Sequence, residues 1–191
     1  MPKQRMPIIR CAWVSDDPVY MAYHDTEWGV PVYDDQHLFE FLILEGAQAG
    51  LSWITVLKRR EEYRKAFVDY DAKKIVALTP HEVENLMQNK GIIRHRSKIE
   101  SVITNAKAYL NILETGTTFT NFIWQFVDGT PLKLSPRTIT DVPTQTKISD
   151  QMSKSLKYHG FKFVGSTICY AFMQAVGLVN DHTLDCFCYQ P

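Results

Sequence analysis

The chain has 191 residues, with 21 Lys and Arg balancing 21 Asp and Glu, so its formal net charge is zero and any attraction to phosphate must come from a local patch. A composition of 45% hydrophobic and 22% charged residues is that of an ordinary folded domain, and the length suits a single domain over 1–191. The opening "MPKQRMPIIRCAWVSDD" has no apolar signal region and no run reaches membrane-spanning length, so a cytoplasmic protein without membrane contact is expected.

Helical signals dominate from there on. Asp35 is placed to cap a helix carrying Leu38, Phe39, Phe41, Leu42 and Leu44 that ends near Gly46. Ser52 is placed to cap a second, running through "WITVLKRREEYRKAF". Thr79, Pro80 and Glu82 form a capping box with proline at N1, opening "HEVENLMQNK" and stopping near Gly91. A long amphipathic helix follows over about 95–113. Ser149 starts another, with Met152 and Leu156 on one face and Gly160 at its end. The apolar stretch 167–176 reads as a buried core helix closed by Gly177. Only "FKFVG" and "TPLKLS" suggest short extended pieces, and loops gather at 114–120 and 128–147. The fold class is all-α.

The tail "VNDHTLDCFC" concentrates Asp181, His182, Asp185, Cys186 and Cys188. His182 and Cys186 are four apart, on one face of a helical turn, but two ligands cannot close a tetrahedral site. The other end offers Cys11 and His24, and the four together would make a closed zinc set, with Cys188 competing for the place of Cys186. A satisfied structural histidine and an idle terminal cysteine are the alternative. Disulfides are not expected where thiols stay reduced, and Cys169, inside "TICYAFM", reads as a small hydrophobe. His37, His81, His95 and His159 are expected to face solvent.

Glu45 is the odd residue of the first long helix. It follows Leu42 and Phe41 by three and four positions and so points inward with them. A buried carboxylate is costly unless it is hydrogen-bonded or paired with a cation. Trp53 lies eight residues on, and Trp13, Tyr20, Tyr23 and Trp28 crowd the N-terminal segment. Aromatic rings around a carboxylate suit a flat cation, and a glutamate satisfied by backbone amides is the plainer alternative. Downstream, "NKGIIRHRSKIESV" joins two helices through Gly91, Ile92 and Ile93. A helix N-terminus reinforced by Arg94, Arg96 and Lys98 suits phosphate, or is simply a solvated basic face.

The strings "CAWVSDDPVYMAYHDTEWGVP", "LEGAQAGLSWITVLKRRE", "GIIRHRSKI" and "GFKFVGSTICYAFMQAVGLVNDH" closely resemble bacterial 3-methyladenine DNA glycosylases of type I. The likeness runs in order from Cys11 to Cys186. It implies a helix-hairpin-helix repair enzyme that hydrolyses the N-glycosidic bond of N3-methyladenine in double-stranded DNA, acting as a monomer and without strand cleavage. It further implies one structural zinc on Cys11, His24, His182 and Cys186. Glu45 would read the damaged base, with Trp53, Tyr23, Trp13, Trp28 and Tyr20 around it. The hairpin from Gly91 through Ile92 to Arg94, with Arg96, would anchor phosphate, and Leu51 on the "AGLS" turn would be the wedge. Residues 1–10 extend beyond the family's usual start and are expected to be flexible. Two rival classes are a zinc-stabilised binding module without activity and a metal-dependent phosphohydrolase.

Overall fold

The computed structural model describes residues 8–189, and among them helices predominate. Helix α1 (Pro18–Thr26), absent from the sequence expectation, starts where the Asp17 carboxylate accepts the Val19 N–H and proline fills the first turn. Helix α2 (Asp35–Gln48) is capped by Asp34, not Asp35, through the His37 N–H at 2.7 Å. Asp35 instead accepts the N–H groups of Phe119 and Thr120, tying the start of α2 to a distant turn. Nor does α2 end at Gly46. That glycine lies within the helix, where an added Cβ would sit 3.2 Å from the Cβ of Phe163.

The helix expected after Ser52 is broken in two, α3 (Trp53–Leu57) and α4 (Arg60–Ala66). At the break Arg60 pairs with Glu27 beyond α1, a tertiary contact, while the Arg59 guanidinium donates locally to the Thr55 carbonyl. Val68, Asp69 and Tyr70 then take left-handed backbone angles before α5 (Ala72–Val76), which Asp71 caps. The capping box of α6 (Pro80–Gln88) is present as expected, with Thr79 and Glu82 satisfying each other's N–H groups. Helix α7 (Arg96–Glu114) follows, then α8 (Phe119–Trp124), which begins inside a stretch expected to be loop.

Strand β1 (Leu132–Lys133), within "TPLKLS", pairs in parallel with β2 (Val179–Asn180), Leu132 opposite Val179. "FKFVG" is not a strand, because Phe163 is left-handed. Between the two strands lie α9 (Lys147–Tyr158) and α10 (Ser166–Ala175). Thr146 caps α9, and Ser149 is its box partner rather than its first residue. Gly177 has φ +71°, and a Cβ there would come within 2.4 Å of Val30 and Pro31 backbone atoms, so only glycine lets the chain cross that segment.

Helix α2 is the central element, buried from Leu38 to Ala47 and packed by α3, α7, α8 and α10. Polar side chains are costly on such a helix, and Glu45 sits within its buried run. His81 and His95 are exposed as expected, whereas His37 and His159 are half-buried against Phe41 and Phe122. Among the described residues no helix is long and apolar enough to cross a membrane. Residues 1–7 of the N-terminal extension lie outside the described residues. Arg10 forks onto Asp25 at 2.8 and 2.7 Å, and the Ile9 carbonyl accepts the Phe187 N–H.

Candidate active site and metal cluster

A cavity of about 400 Å3 opens between α1, α2, the start of α3 and α10. Glu45 and Gln48 reach it from one turn of α2, and Trp53 from the first residue of α3. Trp13, Tyr20, Tyr23 and Trp28 supply the aromatic wall. Trp13 holds that wall together, with ring centroids 5.0 Å from both Tyr20 and Trp28 and edge-on at 6.4 Å to Tyr23. Tyr23 in turn lies 5.4 Å from Trp53. All six aromatic and acidic residues expected at the site therefore converge on one cavity.

The polar atoms of this cavity are unusual. Glu45 is 3% exposed and its Oε2 is buried with no hydrogen-bond partner. The indole N–H groups of Trp13 and Trp53 are likewise buried and unpartnered. Burial alone pushes the Glu45 carboxyl up to about 8, since no cation stands beside it to favour the charged form. Burial and then the Glu45 charge raise the phenols of Tyr20 and Tyr23, which stay protonated as donors. An orphan acceptor between orphan donors suits a flat heterocycle that carries positive charge and hydrogen-bonding edges.

Behind the aromatic wall, Cys11, His24, His182 and Cys186 are all buried, with ligand atoms within 4.8 Å of one another. Cys11 Sγ lies 3.5 Å from His182 Nδ1, and Cys186 Sγ lies 3.4 Å from His24 Nε2 and 3.5 Å from His182 Nδ1. With Zn–S of about 2.3 Å and Zn–N of about 2.0–2.1 Å, a tetrahedral zinc site has an S–N edge of about 3.5 Å. The spacing fits. Each imidazole also has its remaining nitrogen placed on an acceptor, His24 Nδ1 on Asp25 at 2.8 Å and His182 Nε2 on the Trp28 carbonyl at 3.2 Å, which aims the ligating nitrogens. Burial lowers His182 to about 4, keeping it neutral, and raises the Cys11 thiol. Cys188 is not one of these four; it is half-buried near the Asp25 carbonyl, with its sulfur within 4.8 Å of ligand atoms of His24 and Asp25. His182 and Cys186 meet across a turn closed by the Cys186 N–H on the Thr183 carbonyl, not on a helix.

The family described as methyladenine glycosylase matches residues 13–189. The chain belongs to that family. It is 56% identical to DNA-3-methyladenine glycosylase 1 of Escherichia coli (strain K12) over 94% of this chain and 96% of that one. It is 52% identical to the DNA-3-methyladenine glycosylase of Haemophilus influenzae over 94% and 97%. A crystal structure of 3-methyladenine DNA glycosylase I superposes with a TM-score of 0.94 at 55% identity, covering 95% of this chain and 100% of that one. A substituted 3-methyladenine DNA glycosylase I in complex with 3-methyladenine matches with a TM-score of 0.90 at 40% identity, covering 93% and 95%.

Helices α6 and α7 are joined by a short turn in which the Gly91 N–H bonds the Asn89 side chain. Gly91 is needed for a close approach: a Cβ there would meet the Glu62 side chain at 2.8 Å. The Ile92 side chain is buried, so only its backbone is available to a partner, and the Ile93 N–H is taken by Tyr63 Oη at 3.2 Å. Arg94 is exposed, whereas Arg96 pairs with Glu84 at 2.8 Å. Leu51 is 41% exposed, next to Gly50 at φ +78°.

Nine cavity residues escaped the sequence reading, among them the polar Gln48, Tyr170 and Gln174. Gln48 was within reach, standing one turn after Glu45. Tyr170 and Gln174 both donate to Oδ2 of the buried Asp181, at 2.6 and 2.7 Å, and this network braces the α10 wall. Their helix reads as uniformly apolar core, and nothing in the sequence marks its cavity face.

Proposed function

We propose that the protein flips N3-methyladenine out of double-stranded DNA and excises it by hydrolysing the N-glycosidic bond, leaving the strand uncut. The observation that carries this is the buried, unpartnered Glu45 carboxylate facing a cavity walled by indole and phenol groups. Methylation at N3 makes adenine a cation, and its departure as a neutral base already weakens the bond to deoxyribose. The protein has to select that cation and shelter an oxocarbenium-like transition state. Glu45 accepts from the exocyclic amine and is ionised by the arriving charge. Tyr23, Tyr20, Trp13, Trp28 and Trp53 stack on and enclose the base. An uncharged purine leaves Glu45 without a countercharge and fails to offset its own desolvation. Helix α7 carries no aspartate to act as a base, in keeping with a substrate whose leaving group needs little help.

On this reading the helix-hairpin-helix formed by α6 and α7 binds phosphate through Gly91, the Ile92 backbone, Arg94 and Arg96, and Leu51 is the wedge that fills the vacated stack. Cys11, His24, His182 and Cys186 hold one zinc that joins the two ends of the chain. Four protein ligands leave no position for water, so the metal is structural. That set also speaks against a phosphohydrolase, and the orphaned Glu45 against a binding module without activity. The active unit is the whole chain, a cytoplasmic monomer acting on alkylated DNA.

Incubating methylated duplex with the zinc-loaded protein and separating released bases chromatographically tests this. Release of 3-methyladenine with no strand nicking is expected, at a rate unchanged by chelator in the assay while the protein stays folded. No released base, or activity that follows free metal, overturns it.

The hairpin has its own test. Arg94→Ala is expected to weaken binding to duplexes of every sequence about equally and to flatten the salt dependence by roughly one phosphate contact. Arg96→Ala, whose charge is shared with Glu84, is expected to do the same more weakly. Fluorescence titrations at several salt concentrations measure both. Unchanged slopes in both variants would move the DNA face elsewhere.

A further inference from the structure

Lys98 is the third residue of α7, in the positive end of that helix dipole, where an ammonium is disfavoured. Among the described residues no carboxylate pairs with it. Its Nζ reaches across to α2 and donates to the carbonyls of Ala47, at 2.9 Å, and Ala49, at 2.7 Å. These belong to the last turn and C-cap of α2, whose carbonyls have no helical N–H to accept from, and there a cation is favoured. Half-burial lowers Lys98 from its ordinary value, so its place is not the gift of solvent. The bonded segment is short and consequential. It leaves the helical path at Ala49 (φ −43°, ψ 115°), turns at Gly50, exposes Leu51, and enters α3 at Trp53. Gln48, between the two bonded residues, lines the cavity, as do Glu45 one turn back and Trp53.

We propose that Lys98 is a positioning residue for base flipping: it fixes the Leu51 turn to the first turn of the DNA-anchoring helix, so that phosphate anchoring and wedge insertion act as one rigid unit. The inference rests on the glycosylase reading given above and adds the part that couples its two DNA contacts. With the ammonium removed, α7 still binds phosphate and the cavity still binds base. The turn between them loses two tethers, and insertion into a stacked duplex then has to order the turn at the moment of flipping. Both N–H···O bonds hold the amine away from the cavity, so Lys98 takes no part in a covalent step.

The test compares Lys98→Met and Lys98→Arg with the unsubstituted, zinc-loaded protein. Single-turnover excision is measured at saturating enzyme, from methylated duplex and from methylated single strand, alongside the affinity for free 3-methyladenine. For Lys98→Met, excision from duplex is expected to fall about tenfold or more. Excision from single strand and free-base affinity are expected to stay within about threefold. Lys98→Arg, able to donate to both carbonyls, is expected to recover most of the duplex rate. Equal losses on duplex and single strand would reduce Lys98 to general support of the fold, and wild-type rates throughout would remove it from flipping; either overturns the proposal. Trapping of a protein–DNA adduct with borohydride through Lys98 would overturn it too. If the unsubstituted protein releases no 3-methyladenine at all, it is the glycosylase reading that fails.

Discussion

Cys11→Ala and His182→Ala are each expected to lose bound metal and stability together. The four ligand atoms come from residue 11, from α1 and from the turn after β2, so the cluster is what joins chain ends far apart in sequence. Structural zinc binding is worth about 10–16 kcal/mol in small metal-folded peptides, against a typical whole-protein stability of about 5–15 kcal/mol. Much of this chain has its own core, so a variant need not unfold outright. Yet even about 3 kcal/mol lost lowers the melt of a protein this size by about 6–12 °C. Trp28 and Trp13 lie against His24 and His182, so loosening the cluster also loosens the cavity wall. Metal analysis with thermal melts decides the matter. About one zinc per chain is expected for the unsubstituted protein and for Cys188→Ser, and little for Cys186→Ser. Folded protein carrying no zinc, or loss of metal in Cys188→Ser but not in Cys186→Ser, would refute the assignment.

What was legible beforehand follows from the range of the interactions concerned. The Thr79–Pro80–Glu82 box is settled within four residues, so sequence alone places it. Glu45 was legible because helical spacing after Leu38, Phe41 and Leu42 dictates its direction whatever surrounds it. The break between α3 and α4 was not, since no glycine or proline marks it and Arg60 is drawn aside by Glu27, thirty-three residues earlier. Three successive left-handed residues at Val68, Asp69 and Tyr70 defy local preference, and only tertiary packing explains them. The metal ligands were readable as a set but not in their geometry: a turn does what was assigned to a helix, and the carboxylate that accepts from His24 Nδ1 belongs to the adjacent Asp25, which looked incidental. Tyr170, Gln174 and Asp181 form a buried polar network on an apolar helix, which only three-dimensional placement could reveal.

Glu45→Gln is expected to make the protein more stable and less able. Taking stability first, the Glu45 carboxyl sits near 4.5 in an unfolded chain and at about 8 in the fold, raised by burial. Between those values the folded protein holds a proton that the unfolded chain has released. Stability therefore falls as pH rises through that window. Glutamine, nearly isosteric and never charged, escapes this cost. At about 1.36 kcal/mol per pH unit the difference approaches roughly 3–5 kcal/mol by pH 8 and shrinks toward pH 5. The variant should thus melt several degrees above the unsubstituted protein at pH 8 and close to it at pH 5. Function moves the other way. A cationic base in the cavity draws Glu45 into its charged form, and a hydrogen bond to a charged group is worth about 1.5–3 kcal/mol, a ten- to hundred-fold effect on affinity. Because binding must ionise Glu45, the unsubstituted excision efficiency should rise with pH toward 8, while the variant's profile is flat and lower. Excision should survive at a reduced rate, since the substrate's own charge already weakens its glycosidic bond. Melts at pH 5 and 8, beside single-turnover excision across the same range, measure both sides. A variant that matches the unsubstituted rate and pH profile would remove Glu45 from base recognition. One that melts lower at pH 8 would show instead that the carboxylate is satisfied in the empty fold.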